Sequence, residues 1–361
     1  MAKLSGTCST QSNQKDSVAV IIPYYNGSKY IKRSAASVLN QTVLPAEFIV
    51  VNDGSTPEET EKLIEISREM GFQVLHKENG GQGSARNFGV QHSISHFISF
   101  LDQDDFYLRT HIETLLSGVD GGDPHFGWVY ADLMEADEDG NIIRSDTVVH
   151  HSVHPKRYIN DLIGMDMFVL PSASLISRDA YEAVGGFDTQ FTGYEDDDLF
   201  LRIYRKGYSN VFLNTSVTVW CINTDSTSYS IKMSRSRIKY IKKLCDTFPD
   251  NIVRDRLYTS NIIFPRFKNI VFAEAFRSTF KNKSHQSTML TSHSDELIDI
   301  MNEFTELMCS KINIPRFEII KMKILSNVIS RRSGIINAIL YMMYAVLIFI
   351  RNIFSNQANR K

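Results

Sequence analysis

The chain has 361 residues, 43% hydrophobic and 22% charged, with a formal net charge of −2. That length holds one large domain or two ordinary ones, and the near-neutral balance excludes a general affinity for nucleic acid or acidic polymers. The four cysteines, Cys8, Cys221, Cys245 and Cys309, lie far apart with no Cys-x-x-Cys pair. This fits reduced thiols in a cytosolic compartment better than a disulfide framework or a zinc site. Residues 1–16 are polar without an apolar core, and they read as a disordered leader with no secretory signal.

Val18 to Ile22 is a β-branched, apolar run closed by Pro23, which predicts a first buried strand. Tyr24-Tyr25-Asn26-Gly27-Ser28 is turn chemistry, and Ile31, Ala35, Val38 and Leu39 then recur at helical spacing. Phe48 to Val51 predicts a second strand ending in Asn52-Asp53-Gly54-Ser55, followed by a helix from about Pro57 to Met70 with acidic residues in its first turn. Gln73 to His76 is a short third strand, leading through Lys77 and Gly80-Gly81 into a helix that contains Ala85, Arg86 and Asn87. Ile98 to Leu101 is the fourth strand, and it runs straight into Asp102-Gln103-Asp104-Asp105.

Four strand–helix alternations predict parallel βαβ units with right-handed crossovers. Ligands of such sheets sit outside the carboxyl ends of the strands. Tyr25 and Asn26, Asp53, Lys77, and the Asp102–Asp105 cluster all fall at those ends. Aspartates often end strands because they favour turns, but four polar clusters in equivalent places argue for a site. A dinucleotide fingerprint fails because Arg86 stands where Gly81-x-Gly83 needs a third glycine. An EF-hand fails because Phe106 and Tyr107 stand where that loop needs an oxygen ligand and a glycine.

Farther on, Trp128 to Ala131 predicts another strand, with Ile142 to Val149 returning as its partner. His150, His151 and His154 beside Pro155 read as solvated loop residues and receive no role. Glu195 to Asp198 opens a helix whose dipole alone accounts for acidic residues there, and Asp198 and Arg202 stand at the i,i+4 spacing of a simple ion pair.

Six runs in order, Val20-Ile21-Ile22-Pro23-Tyr24-Tyr25-Asn26, Val50-Val51-Asn52-Asp53-Gly54-Ser55, Gly83-Ser84-Ala85-Arg86-Asn87, Leu101-Asp102-Gln103-Asp104-Asp105, Gly185-Gly186-Phe187-Asp188 and Tyr194 to Arg202, resemble a family 2 glycosyltransferase of the GT-A fold. The resemblance covers roughly residues 18–230. It implies an α/β, Rossmann-like, mostly parallel sheet flanked by helices, followed by a helical C-terminal region. It further implies an inverting enzyme that moves a sugar from UDP-sugar or another nucleotide-diphosphate sugar to a hydroxyl of a glycan or lipid-linked acceptor in cell-surface polysaccharide synthesis. The alternative is a non-catalytic nucleotide-sugar-binding or scaffolding subunit of such a complex, which has no need of a base at Asp196.

Carried over by motif, the resemblance places Pro23, Tyr25, Asn26, Asp53, Lys77, Arg86 and Asp102 around the nucleotide, with Tyr25 against the base and Asp53 accepting from a base N–H. It places Asp104 as direct ligand of Mg²⁺ or Mn²⁺, with Asp102 acting through the ribose or a water. Asp196 is the expected catalytic base and Glu195 the residue that orients the acceptor; neighbours on a helix diverge by about 100°, so they cannot share one role. The loose acceptor-facing wall is Phe168 to Ser174. One departure stands out: Trp220-Cys221-Ile222-Asn223 occupies the place of an Arg-x-His run, with Asn223 aligned to the histidine.

The expected organisation is a leader (1–16), a glycosyltransferase domain (17–230), a basic helical region (231–330) and an apolar helix with its tail (331–361). Lys232, Arg235, Arg237, Lys239, Lys242 and Lys243 form either a solvated face or an attraction to anionic lipid. Ile335 to Ile350 is almost unbroken apolar sequence flanked by Arg331-Arg332 and Arg351. It is short of the ~20 residues a span needs, which predicts a cytoplasmic protein whose helix lies in the inner leaflet. A true span and a buried homodimer helix are the alternatives.

Overall fold

Strands form where β-branched and aromatic side chains can pack on both faces of a sheet. The computed structural model describes residues 16–223, 230–280 and 290–331. In it β1 (Val18–Tyr24), β2 (Glu47–Asp53), β3 (Gln73–Lys77) and β4 (Phe97–Phe100) run parallel in the order β3-β2-β1-β4. Every residue of β1 and β4 is buried, as expected for a sheet covered on both faces. The chain winds outward from β1 to β3 and then returns to β4 on the other side of β1. That reversal is the topological switch point at which α/β sheets bind ligands.

The connecting helices are α1 (Ser28–Leu39), α2 (Pro57–Met70) and α3 (Gln82–Gln91). Thr56 caps α2 by accepting from the Glu59 N–H, Pro57 begins it, and Gly71 closes it in the left-handed region. Beyond β4 the sheet becomes mixed. With β5 (Phe106–Tyr107), β6 (Phe126–Ala136), β7 (Ile142–Arg144), β8 (Ser174–Ser177) and β9 (Ser209–Cys221), it has nine strands among the described residues. β8 pairs antiparallel with β4 and β6, β9 runs parallel to β6, and β5 lies antiparallel on β9. The α/β fold expected from the strand–helix alternation is therefore present.

One strand is shorter than expected. The run Ile142 to Val149 pairs with β6 only through β7 and then curls into a 3₁₀ turn at Val148–His150. The cause is Asp132, a buried carboxylate that accepts the N–H groups of Thr147, Val148 and Val149 at 2.7 to 3.1 Å. Those donors can no longer serve a β ladder.

The remaining helices of this unit are α4 (His111–Ser117), α5 (Ile159–Ile163), α6 (Arg178–Glu182) and α7 (Glu195–Arg205). The chain divides into two compact units, one up to Ser226 and one from Thr227. The second contains α8 (Ile231–Thr247), α9 (Phe264–Ser278), α10 (Ser294–Cys309) and α11 (Arg316–Ser330). Its core includes Phe264, Phe267, Leu297, Met301, Phe304 and Met308. Much of the basic stretch on α8 is spent inside this unit: Arg235 pairs with Glu296, Arg237 with Glu274 and Lys242 with Glu303. No described helix is long and apolar enough to cross a membrane. The leader through residue 15 and the apolar run Ile335–Ile350 lie outside the described residues.

Candidate active site

At the end of β2, Asp53 is buried and organises the next turn. Its carboxylate accepts the Lys77 ammonium at 2.6 Å, the Gly80 N–H at 3.0 Å and the Gly81 N–H at 2.7 Å. Gly81 holds φ 84°, which a residue with a Cβ adopts only under strain, and it presents its N–H to Asp53 while starting α3. Three of about four carboxylate acceptor positions are thus taken, leaving one for a ligand donor. Lys77 is committed to Asp53 and to the Glu78 carbonyl.

Pro23 is buried in β1 opposite Val51. Tyr25, by contrast, is half exposed, with an aromatic face open to a flat ligand. Asn26, at φ 48°, accepts the Thr56 N–H and donates its own N–H to Ser55. The Tyr25 N–H donates to Gln103 Oε1 at 2.9 Å, and Gln103 Nε2 returns a bond to the Tyr25 carbonyl. The first loop is thereby tied to the aspartate arm.

In that arm each carboxylate has a different partner. Asp102 pairs with Arg86 at 2.5 Å. Asp104 accepts from the Asn223 side-chain amide. Asp105 is buried and accepts the Cys221 N–H at 2.8 Å. Arg33 supports the arm from α1 by donating to the Asp104 carbonyl at 2.8 Å. Burial, followed by the charge of Asp102, raises the Asp104 pKa to about 6, and burial raises Asp105 well above the carboxylate range.

The N-terminus of α7 closes the site. Tyr194 precedes it at φ 64°, and four acids, Glu195 to Asp198, occupy its first turn. Asp198 pairs with Arg202 at 2.7 Å, and the Arg202 guanidinium also donates to the Val184 and Gly186 carbonyls. This secures the Gly185-Gly186 turn against the helix. Glu195 is buried, accepts from Gln82 and lies 3.4 Å from Arg86. Asp196 keeps partial exposure, and its carboxylate accepts the Asp197 N–H at 2.9 Å. Desolvation, followed by the charges of Glu195 and Asp197, pushes its pKa well above the usual range.

Arg86 therefore bridges the two halves. It is buried, and burial alone would lower its pKa; Asp102 and Glu195 outweigh that and raise it. Arg86 Nε and Glu195 Oε2 are buried without a hydrogen-bond partner among the described residues. Unsatisfied polar atoms of this kind mark a site that awaits a ligand or water.

Several supporting residues received no individual role from sequence reasoning, including Gln82, Gln103, Arg33 and Asp105. Lys156 is another: its buried ammonium donates to Ser152 Oγ and the Val153 carbonyl, and burial lowers its pKa to about 8. His150 and His151 are exposed, as expected of loop residues, whereas His154 holds a structural place. His154 bonds with Tyr130 and the Val148 carbonyl, and burial lowers its pKa to about 4. No cluster of three or more His, Cys, Asp or Glu suited to a metal occurs among the described residues. Asp102 and Asp104 are nevertheless hard oxygen donors with mutually repelling charge, which suits a divalent cation that completes its shell from phosphate and water.

Residues 19–185 match the model of glycosyl transferase family 2. An uncharacterized glycosyltransferase of Rickettsia conorii is 33% identical over 190 residues, covering 52% of this chain and 31% of its own length. One from Rickettsia prowazekii is 31% identical, covering 56% of this chain and 62% of its own. The chain thus spans only about a third of the first curated relatives it matches. Among solved structures, S. aureus TarS 1-349 in complex with UDP-GlcNAc is similar in fold, with a TM-score of 0.56 at 16% identity, covering 80% of this chain and 81% of that one.

Proposed function

We propose that the chain, whose residues 19–185 match the model of glycosyl transferase family 2, is an inverting glycosyltransferase. It moves a sugar from a nucleotide-diphosphate donor to a hydroxyl of a glycan or lipid-linked acceptor in polysaccharide synthesis. The observation that supports this most is the Arg86 bridge, which joins the aspartate arm to the acidic start of α7 in one buried network. A pure binding module has no use for a desolvated carboxylate such as Asp196 beside its donor pocket.

In this reading Tyr25 stacks on the base, Asp53 accepts from a base N–H, and Asn26 and Lys77 hold the loops that frame the nucleotide. Arg86 acts by positioning Asp102 and Glu195. Asp104 and Asp102 hold Mg²⁺ or Mn²⁺; when bound, the cation offsets the charge of the leaving diphosphate. Asp196 takes the proton of the acceptor hydroxyl as that oxygen attacks, and its raised pKa brings it nearer the working pH of a general base. Glu195 stays with Gln82 and Arg86 and fixes the first turn of α7, on which Asp196 is mounted. The resemblance to inverting family 2 enzymes implies a single displacement, in which Asp196 serves as the one base.

TarS has been solved with UDP and with UDP-GlcNAc, so uridine diphosphate sugars are the first donors to test. Release of nucleoside diphosphate from a panel of nucleotide sugars, with Mn²⁺ and with a chelator, is the experiment. Cation-dependent release from one donor is expected. Nucleotide-sugar binding without release from any donor, with acceptor glycans present, would favour the scaffolding subunit.

A further inference from the structure

We infer that α11 is a membrane-surface element, and that its exposed face seats on a bilayer bearing anionic headgroups. The inference concerns the second unit alone and is independent of the sugar-transfer reading. Phe317, Ile320 and Ile324 are 66%, 57% and 58% exposed. At about 100° per residue, spacings of three and four put these side chains on one stripe. Met322 and Ile329, on the opposite side of the helix, are buried. The helix is thus packed by one face and presents a second apolar face to solvent.

Three observations decide what covers that face. First, its rim is basic. Arg316, Lys321 and Lys323 form no ion pair with a described residue, while Glu318, the helix's only acid, is drawn inward to Lys268 at 2.8 Å. This contrasts with α8, where Arg235, Arg237 and Lys242 are paired within the unit.

Second, a neighbouring turn has the same character. Asn251 and Arg256 exchange backbone hydrogen bonds at 2.7 and 2.9 Å, and this bridge holds up Ile252 and Val253, the latter 97% exposed. Asn313 donates to Asp250 beside that turn, which brings the almost fully exposed Ile312 to it. Arg254 and Arg256 follow the apolar tip on its C-terminal side, with Asp255 between them. Third, α11 ends at Ser330 and the sequence continues through Arg331-Arg332 into the apolar run Ile335–Ile350.

An apolar stripe, a basic rim and a projecting Ile-Val tip suit the boundary between headgroups and acyl chains. There, apolar burial and attraction to anionic lipid add. A protein partner would satisfy the stripe but gives no reason for basic residues along both of its edges that pair with no described residue.

The test uses the full chain with Phe317→Trp and vesicles of phosphatidylcholine, with or without phosphatidylglycerol, whose acyl chains are brominated near the headgroup. Bromine quenches indole only on contact, so the reading is local to α11. Expected are quenching beyond that of the unsubstituted chain with anionic vesicles and none beyond it with neutral ones. Lys321→Gln with Lys323→Gln should weaken partitioning about fivefold for each lysine, the usual effect of one basic residue at such a surface. Ile320→Asp should abolish the added quenching without moving the thermal unfolding midpoint, since that side chain is solvent-exposed. Co-sedimentation with vesicles but no added quenching would assign binding to another segment and overturn the inference. So would concentration-dependent dimerisation that shields the Phe317→Trp indole without lipid.

Discussion

Replacing Arg86 with methionine tests the bridge that joins the two halves of the site. Arg86 and Glu195 have side chains 3% and 6% exposed, whereas Asp102 is 38% exposed. Deleting the arginine leaves Glu195 as an uncompensated buried charge, and breaking such a pair from one side costs about 3–5 kcal/mol. Asp102 can turn to water and adds little, about 1 kcal/mol or less. Against a domain stability of about 5–15 kcal/mol this is a large loss.

The pH dependence has a definite sign. Burial already raises the Glu195 pKa, and losing Arg86 raises it further. A carboxyl with a raised native pKa stabilises the fold below its unfolded value, about 4.3, and loses that contribution as pH rises through the native one. The deficit of Arg86→Met should therefore be small near pH 4 and widen as pH rises through the raised native pKa. Glu195→Gln in the same chain removes the stranded charge and should restore about 2 kcal/mol or more, a non-additivity expected of residues in contact. Urea unfolding of the two single variants and the double variant at several pH values reads this directly. A cost under about 1 kcal/mol at every pH, or strict additivity of the two substitutions, would refute the bridge.

Two further outcomes follow from the same geometry. Asp104→Asn should lose the thermal stabilisation that Mn²⁺ with UDP gives the unsubstituted chain, which is about 2.7 kcal/mol when ligand stands 100-fold above its Kd. Unchanged stabilisation in calorimetry would move the cation elsewhere. The rate should rise with pH along a limb set by Asp196, whose raised pKa displaces that limb above the ordinary carboxylate range. A rate that is flat from about pH 5 to 8, under conditions where nucleotide stays bound, would argue against a carboxylate base.

Much of the sheet is legible in the chain because local chemistry determines it. β1, β2 and β4 are largely β-branched or aromatic along their buried length, and their carboxyl ends coincide with turn residues and aspartates. The candidate carboxylates could be named for the same reason. What they touch could not be read in advance. Arg86 meets Asp102 across 16 residues and Glu195 across 109, and Asn223 reaches Asp104 across 119. Such contacts depend on the folded sheet and leave no periodic trace. Asn223 was conspicuous only as a departure from the family motif, and its bond to Asp104 gives that departure a physical place. The misjudged length of β7 has the same origin: the buried carboxylate of Asp132 takes the N–H groups the strand would have used. Similarly, the charge on α8 looked available because its glutamate partners lie on α9 and α10.

The central claim is that Asp196 is the base of a sugar transfer and takes no part in holding the nucleotide. Asp196→Asn is nearly isosteric and removes a charge that burial disfavours, so the fold should be retained. One titration of this variant with a donor accepted by the unsubstituted chain, followed by a rate measurement on the same sample, tests the claim most directly. The account predicts nucleotide affinity within a few-fold of the parent and a turnover lower by about 10²–10⁴-fold, the contribution of a positioned general base. Retained turnover, or loss of nucleotide binding in a folded variant, would contradict it.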